Sequence, residues 1–327
     1  MKIIRWGILG LGNIAEKFAS DLLLVPHCIL QAVASKRKNH AALFAKKFNA
    51  LSFYDHYIAL LEDDQVDVIY IATLHPSHAQ WSIEALNRKK AVLCEKPLAM
   101  NSSQVSKIIA TAQNNNTFLM EALWTRFNPL FEHVLKWIEE GQIGKIRYIQ
   151  ASFSFFGLDR GLESRILDPN KGGGSLLDIG IYPLFLAYQL LGMPEKIMAH
   201  SILSEQQIDL QTAMMLSYKE SQAMLYSGIT HDEDMGAKIC GEKGEIYLPS
   251  RWHDANRAVL KQGELEDQIE YPFVGLGYSY EIEETNQCLR GKLLQSKKWR
   301  HSDSVQLMYL LDEVRNEAGI VYPDQEI

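Results

Sequence analysis

The sequence predicts an α/β chain: an N-terminal doubly wound parallel sheet, then an α+β domain with a mostly antiparallel, open-faced sheet. Three observations carry this. A short apolar run, a glycine turn and an amphipathic segment open the chain in that order. Strand-like and helix-like segments then alternate to about residue 120, the pattern of a parallel sheet with helical crossovers. Beyond Gln142, strand-like segments succeed one another without helices between most of them. A chain of 327 residues also exceeds one comfortable core, and the division is placed to give domains 1–121 and 122–327.

The first element, Ile3–Leu9, is apolar enough for a buried strand. Gly10-Leu11-Gly12-Asn13-Ile14-Ala15 follows, and Ile14, Phe18 and Leu22 recur behind it at helical spacing. Strand, glycine turn and helix in this order make the dinucleotide-binding fingerprint. Gly10 permits the turn, Gly12 lets the backbone approach a pyrophosphate, and Ala15 keeps helix and strand close. Asn13 and Ile14 stand where the helix presents N–H groups and the positive end of its dipole. The second strand, Ile29–Ala34, runs into Ser35-Lys36-Arg37-Lys38. An NAD site usually carries an acid there for the ribose 2′-OH. A hydroxyl followed by three cations suits a 2′-phosphate instead, which Arg holds with a planar fork of donors. Ser35 and Arg37 therefore point to NADP, with NAD the alternative. The plainer reading is a solvated basic loop ahead of a helix over 39–48.

Leu51–Tyr54 reads as a third strand, Ile58–Leu61 as helical, and Val66–Thr73 as a β-branched strand buried on both faces. A helix runs from Pro76 or Ser77 to Leu86, and Ala91–Glu95 is the fifth strand. Asn101-Ser102-Ser103 caps a helix to about Asn114, and Thr117–Met120 is the sixth strand. Ligands of a doubly wound sheet lie at the carboxyl ends of its strands. That singles out Thr73, His75 and His78 after the fourth strand, and Glu95-Lys96-Pro97 after the fifth. Lys96 is placed to approach a nicotinamide ribose and a substrate, and Pro97 suits a cis bond. The bland alternative is a surface Lys beside a turn. His75 and His78 lack a third ligand nearby, so capping or cofactor contact is expected of them and no metal.

The second domain opens with the strand Lys145–Phe153. Glu195–Leu203, Leu210–Tyr218, Gln222–Thr230, Ala237–Cys240, Glu245–Leu248 and Arg257–Lys261 follow, joined by tight turns such as 219–222. Helices over 278–291 and 303–318 close the chain. Gly172-Gly173-Gly174-Ser175 leads a segment read as a helix, on which Asp178 and Tyr182 are four apart and share a face. An acid and a phenol presented together suit the binding and deprotonation of an alcohol. The alternative is an ordinary helix burying Leu176, Leu177 and Ile181. Met214, Leu216, Met224 and Tyr226 are read as outward positions on the open sheet face, which needs cover.

Composition narrows the function classes. Hydrophobic content of 47% and charged content of 22% are those of a globular protein. A net charge of −7 argues against general nucleic-acid binding. Cys28, Cys94, Cys240 and Cys288 are scattered, which suggests neither a zinc site nor a disulfide framework. No apolar run is expected to reach the length of a membrane span. The immediate entry into a strand leaves no room for a signal peptide, and a cytoplasmic location is expected.

Taken together, Gly10–Ala15, Glu95-Lys96-Pro97 and Asp178 with Tyr182 make the chain similar to the glucose–fructose oxidoreductase and inositol dehydrogenase superfamily. That family joins a Rossmann domain to an α/β domain. Three further segments resemble its dimeric dihydrodiol dehydrogenase and NADP-dependent D-xylose dehydrogenase branch: Ala72–His78, Met120–Pro129 and Gly172–Tyr182. Many relatives carry His at the Tyr182 position, so Tyr agrees with this branch. The resemblance implies hydride transfer between a nicotinamide and a secondary alcohol or carbonyl of a sugar or trans-dihydrodiol. It implies Lys96 and Tyr182 as the catalytic pair, Asp178 holding a substrate hydroxyl, and Trp124 or Arg126 shaping the pocket. A free phenol titrates at about 10, and a nearby ammonium favours its phenolate. A homodimer through the open sheet face is also implied. The competing readings are a cofactor-binding sensor without turnover and a different sugar or cyclitol dehydrogenase of the same superfamily.

Overall fold

The computed structural model describes residues 2–323, which form two compact units. The first comprises residues 2–127 and 273–305, the second 128–272 and 306–323. The expected single division after residue 121 thus gives way to one after residue 127, with a later segment returning to the first unit.

In the first unit, six strands form one parallel sheet in the order β3-β2-β1-β4-β5-β6. They are β1 (Ile4–Leu9), β2 (Cys28–Ala34), β3 (Ser52–Tyr54), β4 (Val68–Ile71), β5 (Ala91–Glu95) and β6 (Leu119–Ala122). The strand order reverses beside β1, so the carboxyl ends of β1 and β4 flank the switch point where doubly wound sheets take ligands. Helices α1 (Asn13–Leu22), α2 (His40–Phe48), α3 (Tyr57–Leu61), α4 (His78–Asn87) and α5 (Ser102–Asn114) make the crossovers. Val68, Ile69, Tyr70 and Ile71 are all buried, as the β-branched run requires.

In this sheet β4 and β6 differ from expectation by two residues at each end, and the other strands by one at most. β4 begins at Val68: the Val66 N–H still closes a turn on the Asp63 carbonyl at 3.0 Å, and the Asp67 carboxylate accepts from Arg5, whose backbone N–H donates at 2.9 Å and Nε at 3.1 Å. β6 is shifted downstream because Asn116 turns left-handed (φ 48°) and the Thr117 N–H still closes α5 on the Ala112 carbonyl.

The second unit holds an eight-stranded sheet, β14-β13-β12-β11-β7-β10-β9-β8. Its strands are β7 (Ile146–Ser154), β8 (Lys196–Leu203), β9 (Asp209–Ser217), β10 (Gln222–Gly228), β11 (Ala237–Gly241), β12 (Glu245–Leu248), β13 (Arg257–Gln262) and β14 (Leu265–Glu270). Every neighbouring pair is antiparallel except β7 with β10. Two meanders, β8–β10 and β11–β14, are therefore joined by β7 between them. Helix α6 (Pro129–Glu139) begins with the Asn128 side chain capping the Leu130 N–H and Pro129 in the first turn. Helix α7 (Ile181–Leu191) packs on β7 and β10. Two helices follow the sheet in the chain: α8 (Ser279–Arg290), in the first unit, and α9 (His301–Ala318).

One inference about the sheet faces needs correction. Met214 and Leu216 are buried at 3% and 0% exposure and belong to the core face. The outward row is Met198, Met215 and Met224, which face one another in register across β8, β9 and β10. Tyr226 pairs with Ala213 one step along. A second correction concerns length: by length and composition Pro169–Leu191 is apolar enough to cross a membrane, although the glycines at 172–174 interrupt its helix. Of its most apolar window 83% is buried inside the structure, as in the core helix of a globular unit.

Candidate functional site

The nucleotide end of the first unit is built on the turn after β1. Gly10 has φ +89°, and a Cβ there would meet the Ala72 carbonyl oxygen at 2.8 Å, so only glycine fits. Gly12 is the residue before α1, and a Cβ on it would meet nothing within 4 Å. The helix start carries no side-chain cap, which leaves the N–H groups at Asn13 and Ile14 for an anion. These features fit a dinucleotide pyrophosphate.

The loop after β2 bends back on this turn. An Nη2 N–H of Arg37 donates to the Leu11 carbonyl at 2.8 Å, and the Arg37 backbone N–H donates to Ser35 Oγ at 3.2 Å. Ser35 Oγ also lies 3.3 Å from His40 Nδ1. Lys36 turns elsewhere, with its ammonium 5.1 Å from the ring centroids of both Tyr57 and Trp81. Of the basic run, Arg37 is the cation hydrogen-bonded to the glycine turn.

At the ends of β4 and β5 the sequence-predicted residues divide by role. His78 is fully buried, and its ring nitrogens lie against the carbonyl oxygens of Pro97 (2.8 Å) and Thr73 (3.1 Å). Burial pushes its imidazole below the usual range. His78 thereby ties the two strand-end turns together. His75, in the turn His75–Ser77, packs edge-on against it. The Lys96–Pro97 bond is cis, in line with expectation. Glu95 is held by the Tyr70 hydroxyl and accepts the Lys96 backbone N–H at 3.2 Å. Glu121 accepts the Leu98 N–H at 2.9 Å and is itself held by Trp299 and Ser304. Sequence reasoning missed Glu121 as the support of this turn, because its partners come from a segment far along the chain. Trp124 stacks on Tyr278 with ring centroids 5.0 Å apart, and Arg126 is buried at 8% exposure.

The second unit presents a separate constellation. Leu176–Gly180 forms a π-helical turn ahead of α7, so Asp178 and Tyr182 do not sit on one regular α-helix as expected. Such turns recur at functional sites. Both residues are nearly buried, at 4% and 5% exposure. Arg165 donates to Asp178 at 3.0 Å. The Tyr182 ring lies 5.2 Å from His253 and 5.5 Å from Phe153, and those two stack at 4.1 Å. Arg165 and His253 come from the loops 156–170 and 252–256. Their position in loops kept them out of any periodic pattern. Asp209 anchors the turn from behind: Ser175 Oγ and the Leu176 N–H both donate to its Oδ2. No group of three or more metal-ligating side chains occurs among the described residues.

A glycine turn fitted to a pyrophosphate at the switch point of a doubly wound sheet marks a dinucleotide-binding domain, and the family matches make the chain a dinucleotide-dependent oxidoreductase. Residues 4–123 match the oxidoreductase family with the NAD-binding Rossmann fold, and residues 131–247 match the GFO/IDH/MocA C-terminal domain. The chain belongs to this GFO/IDH/MocA family. It is 35% identical to the trans-1,2-dihydrobenzene-1,2-diol dehydrogenase of Xenopus tropicalis, over 98% of this chain and 99% of that one. The Homo sapiens protein of that name is 33% identical, over 99% of each chain. Among solved structures, a 3-ketoreductase from Actinomadura kijaniata in complex with NADP and TDP-benzene has a TM-score of 0.88. It is 27% identical, over 97% of this chain and 98% of that one. A levoglucosan dehydrogenase shares the fold at a TM-score of 0.88 and 17% identity, over 100% of each chain.

Proposed function

We propose that this enzyme uses NADP in preference to NAD and transfers hydride between the nicotinamide and a secondary alcohol or carbonyl of a sugar or trans-dihydrodiol. The Arg37 guanidinium anchored at the glycine turn, beside Ser35 and with no acid in the loop, carries the cofactor preference. The dihydrodiol dehydrogenase relatives and the NADP-bound ketoreductase support the substrate class and cofactor. When bound, the nicotinamide supplies the redox chemistry. The protein's part is geometry and proton handling. Tyr182 takes the hydroxyl proton in oxidation and returns it in reduction, with Lys96 assisting. Asp178, fixed by Arg165, holds a substrate hydroxyl, and Trp124 and Arg126 shape the pocket. Gly10, Gly12, Asn13 and Ile14 hold the pyrophosphate, while Thr73, His75, Glu95 and Lys96 border the nicotinamide end.

The test is spectrophotometric turnover of NADPH and NADH with a panel of sugars and trans-dihydrodiols. Absence of turnover with every compound, alongside tight cofactor binding, would favour the sensor reading. The same proposal includes a cytoplasmic setting, consistent with four free cysteines. It also includes a homodimer closed over the outward face of the eight-stranded sheet. There Met198, Met215 and Met224 line a groove of about 440 Å³ with Tyr226.

A further inference from the structure

We propose that His40 is a third member of the 2′-phosphate site alongside Ser35 and Arg37, and that binding of the phosphorylated dinucleotide is coupled to protonation of its imidazole. The inference rests on the Ser35–Arg37 reading above. His40 is the first residue of α2, half-exposed, and both ring nitrogens face that pair: Nδ1 lies 3.3 Å from Ser35 Oγ and Nε2 lies 3.5 Å from Arg37 Nη2.

Hydrogen-bond accounting fixes the tautomer. Guanidinium has donors only, so Nε2 must offer its lone pair to Arg37. The ring proton then sits on Nδ1 and is donated to Ser35 Oγ. That oxygen also accepts the Arg37 N–H, which leaves the serine's own proton to give outward. Ser35 and Arg37 thus keep donors to spare, while the imidazole gains a second N–H only on protonation.

Charges around the ring point the same way. Arg37 faces it with positive charge, and the one carboxylate acting on it, Glu16 of α1, is already paired with Lys47 of α2 at 2.8 Å. Burial and Arg37 hold the imidazole below its ordinary range, with Glu16 opposing. A phosphate placed among these groups reverses the balance, because it favours imidazolium over imidazole. Linkage then requires that affinity for NADP rise as pH falls through the His40 titration, while affinity for NAD stays flat. The 2′-phosphate itself titrates at about 6 and works in the opposite sense. The comparison must therefore be made against a variant that keeps the phosphate and lacks the imidazole.

The experiment is calorimetric titration of the purified enzyme, His40→Gln and Arg37→Ala with NADP+ and NAD+. It is run at several values between about pH 8 and 6, in buffers of different ionisation enthalpy. Thermal melting checks that each variant is folded. The expected result is a ratio of NAD to NADP Kd that rises on acidification about tenfold more in the wild type than in His40→Gln. Proton uptake on NADP+ binding should likewise be larger in the wild type. Superimposable pH profiles and equal proton uptake, with Arg37→Ala still selectively weakening NADP+, would overturn the role of His40 alone. Equal weakening of both cofactors in Arg37→Ala would overturn the underlying 2′-phosphate reading, and the His40 proposal with it.

Discussion

The backbone N–H of Leu176 donates to Oδ2 of Asp209 at 2.6 Å, inside a pocket where Asp209 is completely buried. Ser175 Oγ and Thr212 Oγ1 share the same oxygen, and the Tyr322 hydroxyl donates to the other. A Cβ on Gly174 would collide with Oδ1 at 2.1 Å, so that glycine is what lets the carboxylate reach the turn. The turn in question carries Asp178.

Burial raises the Asp209 carboxyl to about 6, against the hydrogen bonds that favour its ionised form. The sign follows from the raised folded-state value. Between about pH 4 and 6 the unfolded chain has lost this proton and the folded one still holds it, so stability is lost as pH rises through that window. Asp209→Asn removes this contribution. We expect the stability difference between wild type and variant to shift by up to about 3 kcal/mol across the window. Urea unfolding at a series of pH values reads it, and parallel curves would mean that Asp209 ionises alike in both states.

Arg37→Ala should weaken NADP far more than NAD. A lost charge-assisted contact costs about 1.5–3 kcal/mol, roughly ten- to a hundredfold in Kd. Fluorescence titration of the reduced cofactors measures it, and tighter wild-type binding of NADH would exclude the preference.

Tyr182→Phe removes one oxygen from a ring packed on Phe153 and His253. The variant should fold and bind cofactor, while turnover drops by about 10²-fold or more. Near wild-type turnover would pass the proton-handling role to Lys96.

Met224→Glu places a charge at one end of the outward methionine row, at a side chain 53% exposed in the single chain. Sedimentation velocity at micromolar concentration should show a dimer for the wild type and a monomer for the variant. A wild type sedimenting at about 37 kDa would leave the sheet face solvated.

Much of the fold was legible because its signals are local. Gly10 to Leu22 declares its turn and helix through glycine and period alone, and Asn101 announces a helix start that the structure caps at Gln104. Alternation in β10 was visible, yet which face met the core was not. Ala223 and Leu225 are the buried positions of β10, a strand against which α7 packs, and Met224 is outward. The site divides in the same way. Ser35, Arg37 and the Glu95–Pro97 turn follow directly from strand ends. Arg165, His253 and Glu121 act through partners 13 or more residues away in sequence, so no spacing betrays them. The π turn at Leu176–Gly180 is a tertiary product of the same kind, shaped by Asp209 and β10.

The position of β7 bears on how the second unit is made. Its neighbours, β10 and β11, are each the inner edge of a meander that closes through short local connections. The strand synthesised first is therefore expected to be the last enclosed, since its pairing partners lie far downstream and loop closure delays such contacts. Until then Ile149, Ala151 and Phe153 have no sheet to enter. Pulse-labelled hydrogen exchange should show amides of β8–β9 and β12–β13 protected before those of β7. A nascent chain halted before β10 should depend on chaperones at this one strand.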